Sequence, residues 1–531
     1  VREACGVFGV YAPGKGVAQL TFDGLYALQH RGQESAGMAV SDGETLTVVK
    51  DMGLVTTVFD ERTVSCLPGD LAIGHTRYST TGASSWRNAQ PVFRAVGGAG
   101  FALGHNGNLT NTAQLAEQAG MLPGVVASDS DLVAELLAAA HPADGADVGL
   151  PRAGGGAGSA VAAGEPGTVG DGAGTGLVVH GAGTVANGSG EPTGPLGGGP
   201  LEVALRAVLP RLEGAFSFVL LDRRRLMGVR DPNGFRPLCL GRLGSAEQPE
   251  GWVLASETPA LDVIGASFVR ELRPGELVVI DADGPRSSPA FAPERIDPRL
   301  CIFEFVYFAR PDSNLYGREV HGARRRMGEL LATQAPVAAD MVMGVPDSGV
   351  PAAEGYARES GIPYGQGLVK NRYIGRTFIT PDQAARDAGV RRKLNPLREN
   401  IAGKRLVVVD DSIVRGTTTR SMVRMLRDAG AREVHLRISS PPFRWPCFYG
   451  IDTPTRDELL AARKSIAEIA AYLGVDSIEY LTLENLVKAI DAPGEGFCSA
   501  CLTGEYPVPV PVTRGGACQR DADPAPAPAG A

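Results

Sequence analysis

The sequence predicts an α/β protein in two parts: a mixed α+β first half, then a doubly wound parallel sheet. Three observations carry this. At 531 residues the chain is too long for one hydrophobic core. Residues 5–140 read as short alternating strands, glycine turns and a few helices. The second half instead alternates helices with apolar runs: Asp340-Met-Val-Met-Gly-Val-Pro346, Arg405-Leu-Val-Val-Val-Asp410 and Glu433-Val-His-Leu-Arg-Ile438. That is the βαβ pattern of a parallel sheet.

Taken in order, Gly24–Gly37 mixes a helix with an Arg-Gly-Gln turn, and Asp129–Ala140 is an apolar helix with an acidic start. From about 151 to 200 the chain is mostly small residues with no aromatic side chain. It cannot bury enough apolar surface to offset its ordering entropy, so a disordered insertion is expected. Leu201–Leu212 resumes as helix and Ala215–Leu221 as a buried strand. Arg230–Pro237 is a turn-rich corner. Gly251–Glu257 and Glu276–Asp281 give further strands, and Pro285–Pro298 reads as a linker. The expected parts are a propeptide at 1–4, a first domain at 5–290, a second at 296–507 and a disordered tail at 508–531.

Composition narrows the class. With 44% hydrophobic and 21% charged residues the chain reads as soluble and globular. A net charge of −8 implies no nucleic-acid affinity. No apolar run reaches membrane-span length. Eight cysteines are too sparse for a disulfide scaffold, so a reducing cytoplasm is expected.

Two motifs carry chemistry. A cut after Ala4 would make Cys5 residue one, placing a thiol and a free α-amine on the same residue. With a pKa of about 7.7–8.0 that amine can serve as the base. In the second half a buried strand ends in Asp410-Asp411, a loop holds Arg415 and Gly416, and a helix opens at Thr417-Thr418-Thr419 and runs to Gly430. The helix N-terminus suits one phosphate. The adjacent carboxylates suit ribose hydroxyls and a Mg²⁺-bound sugar.

Around Cys5 stand Tyr26-Ala-Leu-Gln-His-Arg-Gly-Gln-Glu-Ser35, Gly74-His-Thr-Arg-Tyr-Ser79 and Gly104-His-Asn-Gly-Asn-Leu109. In this order they resemble the glutaminase domain of amidotransferases with an N-terminal cysteine nucleophile, an αββα sandwich. The resemblance implies oxyanion donors at Gly32 and Asn106, a carboxylate-binding fork at Arg77, close backbone approach at Gly107, and Asp131 at the α-ammonium of glutamine.

The Asp410–Thr419 stretch resembles the diphosphosugar signature of type I phosphoribosyltransferases. Gly344-Val-Pro-Asp-Ser-Gly349 looks like that family's pyrophosphate loop, with Asp347 at the ligand and Ser348 near the metal. Lys370, Arg376 and Lys393 lie in a basic stretch that would close as a lid. Together the halves resemble the amidophosphoribosyltransferases, apart from the glycine-rich insertion. The implied reaction hydrolyses glutamine at Cys5 and passes ammonia to 5-phosphoribosyl diphosphate, giving 5-phosphoribosylamine, glutamate and pyrophosphate. The resemblance also implies feedback by purine nucleotides and a homodimer or homotetramer.

Cys301, Cys447, Cys498 and Cys501 include one Cys-x-x-Cys pair. On ligands alone zinc is at least as fitting as iron–sulfur. The resemblance favours a four-iron, four-sulfur cluster with a structural role. Cys66 and Cys239 read as core and Cys518 as tail. Two rival readings fit the residues less well. A nucleotide-sensing regulator has no need of Cys5, Arg77 and Asn106. An amidotransferase with a sugar-isomerase domain has no use for the Asp410–Thr419 stretch.

Overall fold

The computed structural model describes residues 5–78, 85–96, 99–122, 126–142, 179–180, 199–371, 394–451, 455–492, 494 and 496–510. The first half is two stacked antiparallel sheets between helices. One sheet runs Ser267–Glu271, Cys239–Gly244, Pro249–Ala255, Gly6–Tyr11, Leu71–Arg77, Ser35–Ser41, Leu46–Met52, Val179–His180. The other runs Gly284–Pro289, Glu276–Asp281, Leu226–Arg230, Gly214–Leu221, Ala99–Leu109, Val92–Val96.

Strand alternation separates three apolar layers. Val7, Ile73 and Leu254 meet Ala102, Val219 and Val278 between the sheets. Helices Val17–Ala27 and Pro259–Val263 cover the outer face of the first sheet through Leu25, Phe8 and Leu261. Helices Asp129–Ala140 and Pro200–Val208 cover the second sheet through Leu137, Leu205 and Phe218. This is the αββα sandwich.

The second half holds a parallel sheet in the order Met341–Gly344, Arg405–Asp410, Glu433–Ile438, Ser477–Tyr480. Its central strand is apolar on both faces because both are covered. Val407 and Val409 face helices Val320–Gln334, Val350–Ser360 and Leu483–Ile490. Leu406 and Val408 face Thr417–Asp428 and Ile466–Leu473. All four are fully buried, each contributing about 1.5–3 kcal/mol.

Several expectations need correction. Pro285–Pro298 is not only a linker: Gly284–Pro289 pairs in register with Glu276–Asp281. Within the glycine-rich insertion, Val179–His180 adds an edge bridge to Thr47 and Val48, and 151–178 and 181–198 lie outside the described residues. The tail packs past its expected boundary, since Tyr449 Oη donates to Val508 O at 2.6 Å. Cys66 is exposed rather than core, whereas Cys239 is buried. Residues 1–4 and 511–531, with Cys518, lie outside the described residues. Among the described residues no helix is long and apolar enough to cross a membrane.

Candidate active sites

Cys5 immediately precedes the strand Gly6–Tyr11, which fixes it at the edge of the inter-sheet layer. Its thiol is buried and lies 3.5 Å from Tyr78 O. Burial pushes the thiol pKa up, against the opposing pull of the Tyr78 contact and the Arg77 cation. Cys5 lines a small cleft with Arg77, Tyr78, Gln90, His105, Gly107, Ser128, Asp129 and Ser130.

Neither neighbouring histidine is placed to take the thiol proton. His75 is fully buried, its Nε2 lies 2.9 Å from His105 O, and burial holds its pKa down to about 3. Both ring nitrogens of His105 are engaged, Nδ1 at 3.1 Å from Ser130 Oγ and Nε2 at 3.3 Å from Ala215 O. Were the chain cut after Ala4, the α-amine of Cys5 would be the fitting base.

Asn106 sits on Ala99–Leu109 opposite Ser217, on the strand face that Val219 turns toward the first sheet. It is fully buried, and neither amide atom has a hydrogen-bond partner among the described residues. An orphaned buried amide costs about 1–3 kcal/mol per group, which suits a donor kept for a transient charge. Gly107 follows with φ of +148°, and a Cβ there would lie 2.1 Å from Ala215 O. Arg77 ends its strand, 4% exposed, with Nη1 3.4 Å from Glu34 Oε1.

Two assignments shift. Gly32 does not line the cleft: a Cβ there would lie 2.4 Å from the Thr76 carbonyl carbon, so its smallness serves backbone packing. Gly107 lines the cleft instead. Asp131 also lies off the cleft, ion-paired to Arg94 and accepting from Ala127 N at 3.0 Å. The carboxylate on the cleft is Asp129, at the N-terminus of the Ser128-capped helix and 3.6 Å from His105 Nδ1. Gln90, His105 and Ser130 belong to the same wall and were not anticipated. Gln90 lies beside Asn88 and Ala89 in a segment whose sequence gives no regular pattern, so no signal marked it.

In the second half, Asp410 ends its strand and Asp411 opens the loop, as expected. Ser348 Oγ donates to Asp411 Oδ1 at 2.6 Å, and Asp411 N donates to Asp410 Oδ1 at 3.0 Å. Burial first, and the Asp411 charge second, raise the Asp410 carboxyl well above its usual range. Gly416 caps the helix Thr417–Asp428 with φ of +74°. A Cβ there would lie 2.6 Å from Leu460. Thr417, Thr418 and Thr419 form the helix's first turn, where free N–H groups gather. Arg415 is half-exposed and pairs with Glu458 at 2.8 Å. Lys370 pairs with Asp347 on the facing loop. Arg376 and Lys393 lie outside the described residues.

The four second-half cysteines come from three segments. Cys301 and Cys498 are register partners in a short parallel pair, and Cys501 sits on the following turn. Cys447 Sγ accepts from Tyr449 N at 3.3 Å. Burial raises all four thiols, and Cys498 and Cys501 are raised further by charge on Cys301 and Cys447. No group of three or more His, Cys, Asp or Glu among the described residues stands ready to hold a single metal ion.

A buried cysteine and an orphaned buried amide in one half, with paired carboxylates beside a threonine-rich helix N-terminus in the other, fit one class: a glutamine amidotransferase coupled to a phosphoribosyltransferase. The family model described as phosphoribosyl transferase domain matches residues 317–439. The chain is 50% identical over 516 residues to the amidophosphoribosyltransferase of Mycobacterium leprae, covering 96% of this chain and 83% of that protein. It is 41% identical over 517 residues to that of Bacillus subtilis, covering 96% and 95%. The chain belongs to the amidophosphoribosyltransferases. Among solved structures, the B. subtilis glutamine phosphoribosylpyrophosphate amidotransferase complexed with ADP and GMP is similar at a TM-score of 0.78 and 40% identity, covering 97% of this chain and 99% of that one.

Proposed function

We propose that mature Cys5, freed of residues 1–4, attacks the glutamine carboxamide with its own α-amine as base. The orphaned Asn106 amide carries this reading. It and the Gly107 N–H hold the oxyanion, Arg77 takes the α-carboxylate and Asp129 the α-ammonium. The tetrahedral adduct collapses with loss of ammonia. Water then hydrolyses the thioester to glutamate.

Ammonia passes within the molecule to 5-phosphoribosyl diphosphate, displacing pyrophosphate to give 5-phosphoribosylamine. Thr417–Thr419 with Arg415 and Gly416 hold the 5-phosphate, and Asp410 and Asp411 the ribose. Asp347, Ser348 and Lys370 face the diphosphate, with Arg376 and Lys393 as lid cations. Ser348, Asp410 and Asp411 are hard oxygen donors, and adjacent carboxylates, one accepting from the Ser348 hydroxyl and the other from the Asp411 N–H, suit Mg²⁺. Bound there, Mg²⁺ would neutralise the departing diphosphate.

Cys301, Cys447, Cys498 and Cys501 are proposed to hold a four-iron, four-sulfur cluster: the family resemblance favours it, and four thiols raised by burial, brought together from three segments, supply the donors. Its role would be structural, joining the C-terminal segment to Leu300–Cys301. Purine nucleotides are proposed as feedback inhibitors because the B. subtilis relative was solved with ADP and GMP. A homodimer or homotetramer in the cytoplasm is proposed from the family resemblance.

The test is glutamine-dependent pyrophosphate release from 5-phosphoribosyl diphosphate and Mg²⁺, with one pyrophosphate expected per glutamate. Glutamate formation without pyrophosphate from any nitrogen source would overturn the transferase reading.

A further inference from the structure

Arg31 is fully buried, and its guanidinium has three occupants. Nε donates to Cys5 O at 3.0 Å, so it grips the backbone of the nucleophile itself. Nη1 and Nη2 donate to Glu304 Oε2 and Oε1 at 2.9 and 2.8 Å, a two-pronged pair. Nη1 also meets Glu257 Oε1 at 2.5 Å. Glu304 belongs to the second half, in the helical turn Glu304–Phe308, three residues from Cys301. It lies within that half's apolar core, between Phe303 and Phe305. Arg236 holds it from the other side, with Nη1 at 3.1 Å from Glu304 Oε1 and Nη2 at 2.9 Å from Tyr449 O.

Arg31, Arg236, Glu257 and Glu304 are each at most 1% exposed. Two cations and two anions balance. Burial alone would lower the Arg31 pKa, but the two carboxylates reverse this and the group stays charged. A second tie acts on the oxyanion strand: Asn108 Nδ2, one residue past Gly107, donates to Phe448 O at 2.9 Å. The nucleophile, through Arg31, and the strand that carries Asn106 and Gly107, through Asn108, are therefore each tied to a second-half segment.

We propose that Arg31 is a positioning residue for Cys5, and that Glu304, steadied by Arg236, sets its orientation from the transferase half. A bidentate pair fixes the guanidinium plane as a single donor cannot. The plane then fixes the Cys5 carbonyl, and with it the rotation of the residue that carries both thiol and amine. This rests on Cys5 being the glutaminase nucleophile.

The test uses full-length, processed enzyme with Glu304→Gln and Arg31→Lys. Gln keeps the shape of Glu304 but turns an amide N–H₂ toward one guanidinium. Lys keeps the charge but cannot reach both Glu304 and the Cys5 carbonyl. In each variant kcat with glutamine should fall at least about ten-fold while KM for glutamine changes less than about three-fold, since substrate contacts are untouched. Synthesis from ammonium salts should stay within about two-fold of the parent. Labelling of Cys5 by 6-diazo-5-oxonorleucine, followed by intact mass, should slow in parallel with kcat. If glutamine and ammonia reactions fall together in both variants, the residues only hold the fold and the proposal is wrong. Unchanged labelling in Arg31→Lys would overturn it equally. Failure of Cys5→Ala to lose glutamine use would instead strike the underlying glutaminase reading.

Discussion

Asn106→Ala should make the protein more stable and nearly inactive with glutamine. The side chain is fully buried, and its N–H₂ and C=O lack partners among the described residues. Each unsatisfied group costs about 1–3 kcal/mol in the resting state. Deleting both removes that cost and leaves a small cavity, a penalty of about 1 kcal/mol. The net is a gain of about 1–5 kcal/mol, read as a rise of a few degrees in Tm. Losing an oxyanion donor should lower glutamine-dependent kcat by about 100- to 1000-fold. Melting curves and glutamate release at saturating donor measure the two effects on one preparation, and synthesis from ammonia serves as the internal control. A fall in Tm of several degrees, or kcat within three-fold of the parent, would refute the reasoning.

Three further outcomes follow from the geometry. Asp129→Asn should raise KM for glutamine by about ten-fold or more, the worth of a charged hydrogen bond, whereas Asp131→Asn should leave KM unchanged because its carboxylate serves Arg94; initial rates decide. Gly107→Ala should abolish glutaminase, since its Cβ would meet Ala215 O at 2.1 Å, and assays with both nitrogen sources report this. His75 is held neutral with a pKa of about 3, below the ordinary value of 6.5, so the unfolded chain binds the extra proton first. Stability from this site is full above about pH 6.5 and falls by about 2 kcal/mol at pH 5. His75→Gln should flatten that part of the denaturation profile, and an unchanged slope would refute the assignment.

Much of this was legible in the sequence. Asp129–Ala140, Arg405–Asp410 and Glu433–Ile438 form over the residues their patterns mark, because caps and buried β-branched runs are local signals. The Asp410–Thr419 loop was legible for the same reason. The errors were geometric. Asp129 and Asp131 lie two positions apart on one helix, about 200° around its axis, so only one faces the cleft. Motif order alone does not say which. Gly32 and Gly107 are both glycines that admit close backbone, but Gly32 admits Thr76 and Gly107 borders the cleft. The Arg31–Glu304 pair joins residues 273 apart, a contact set by how the halves dock and carried by no local pattern.

The central claim is that one chain makes ammonia at Cys5 and uses it at Asp410 and Asp411. Its most direct test is 5-phosphoribosylamine formation from glutamine and from ammonium salts at high pH, side by side, in Cys5→Ala and Asp410→Asn. Cys5→Ala should lose the glutamine reaction and keep the ammonia reaction near the parent rate. Asp410→Asn should lose both. A folded Cys5→Ala that loses the ammonia reaction as completely as the glutamine one would contradict the two-site account.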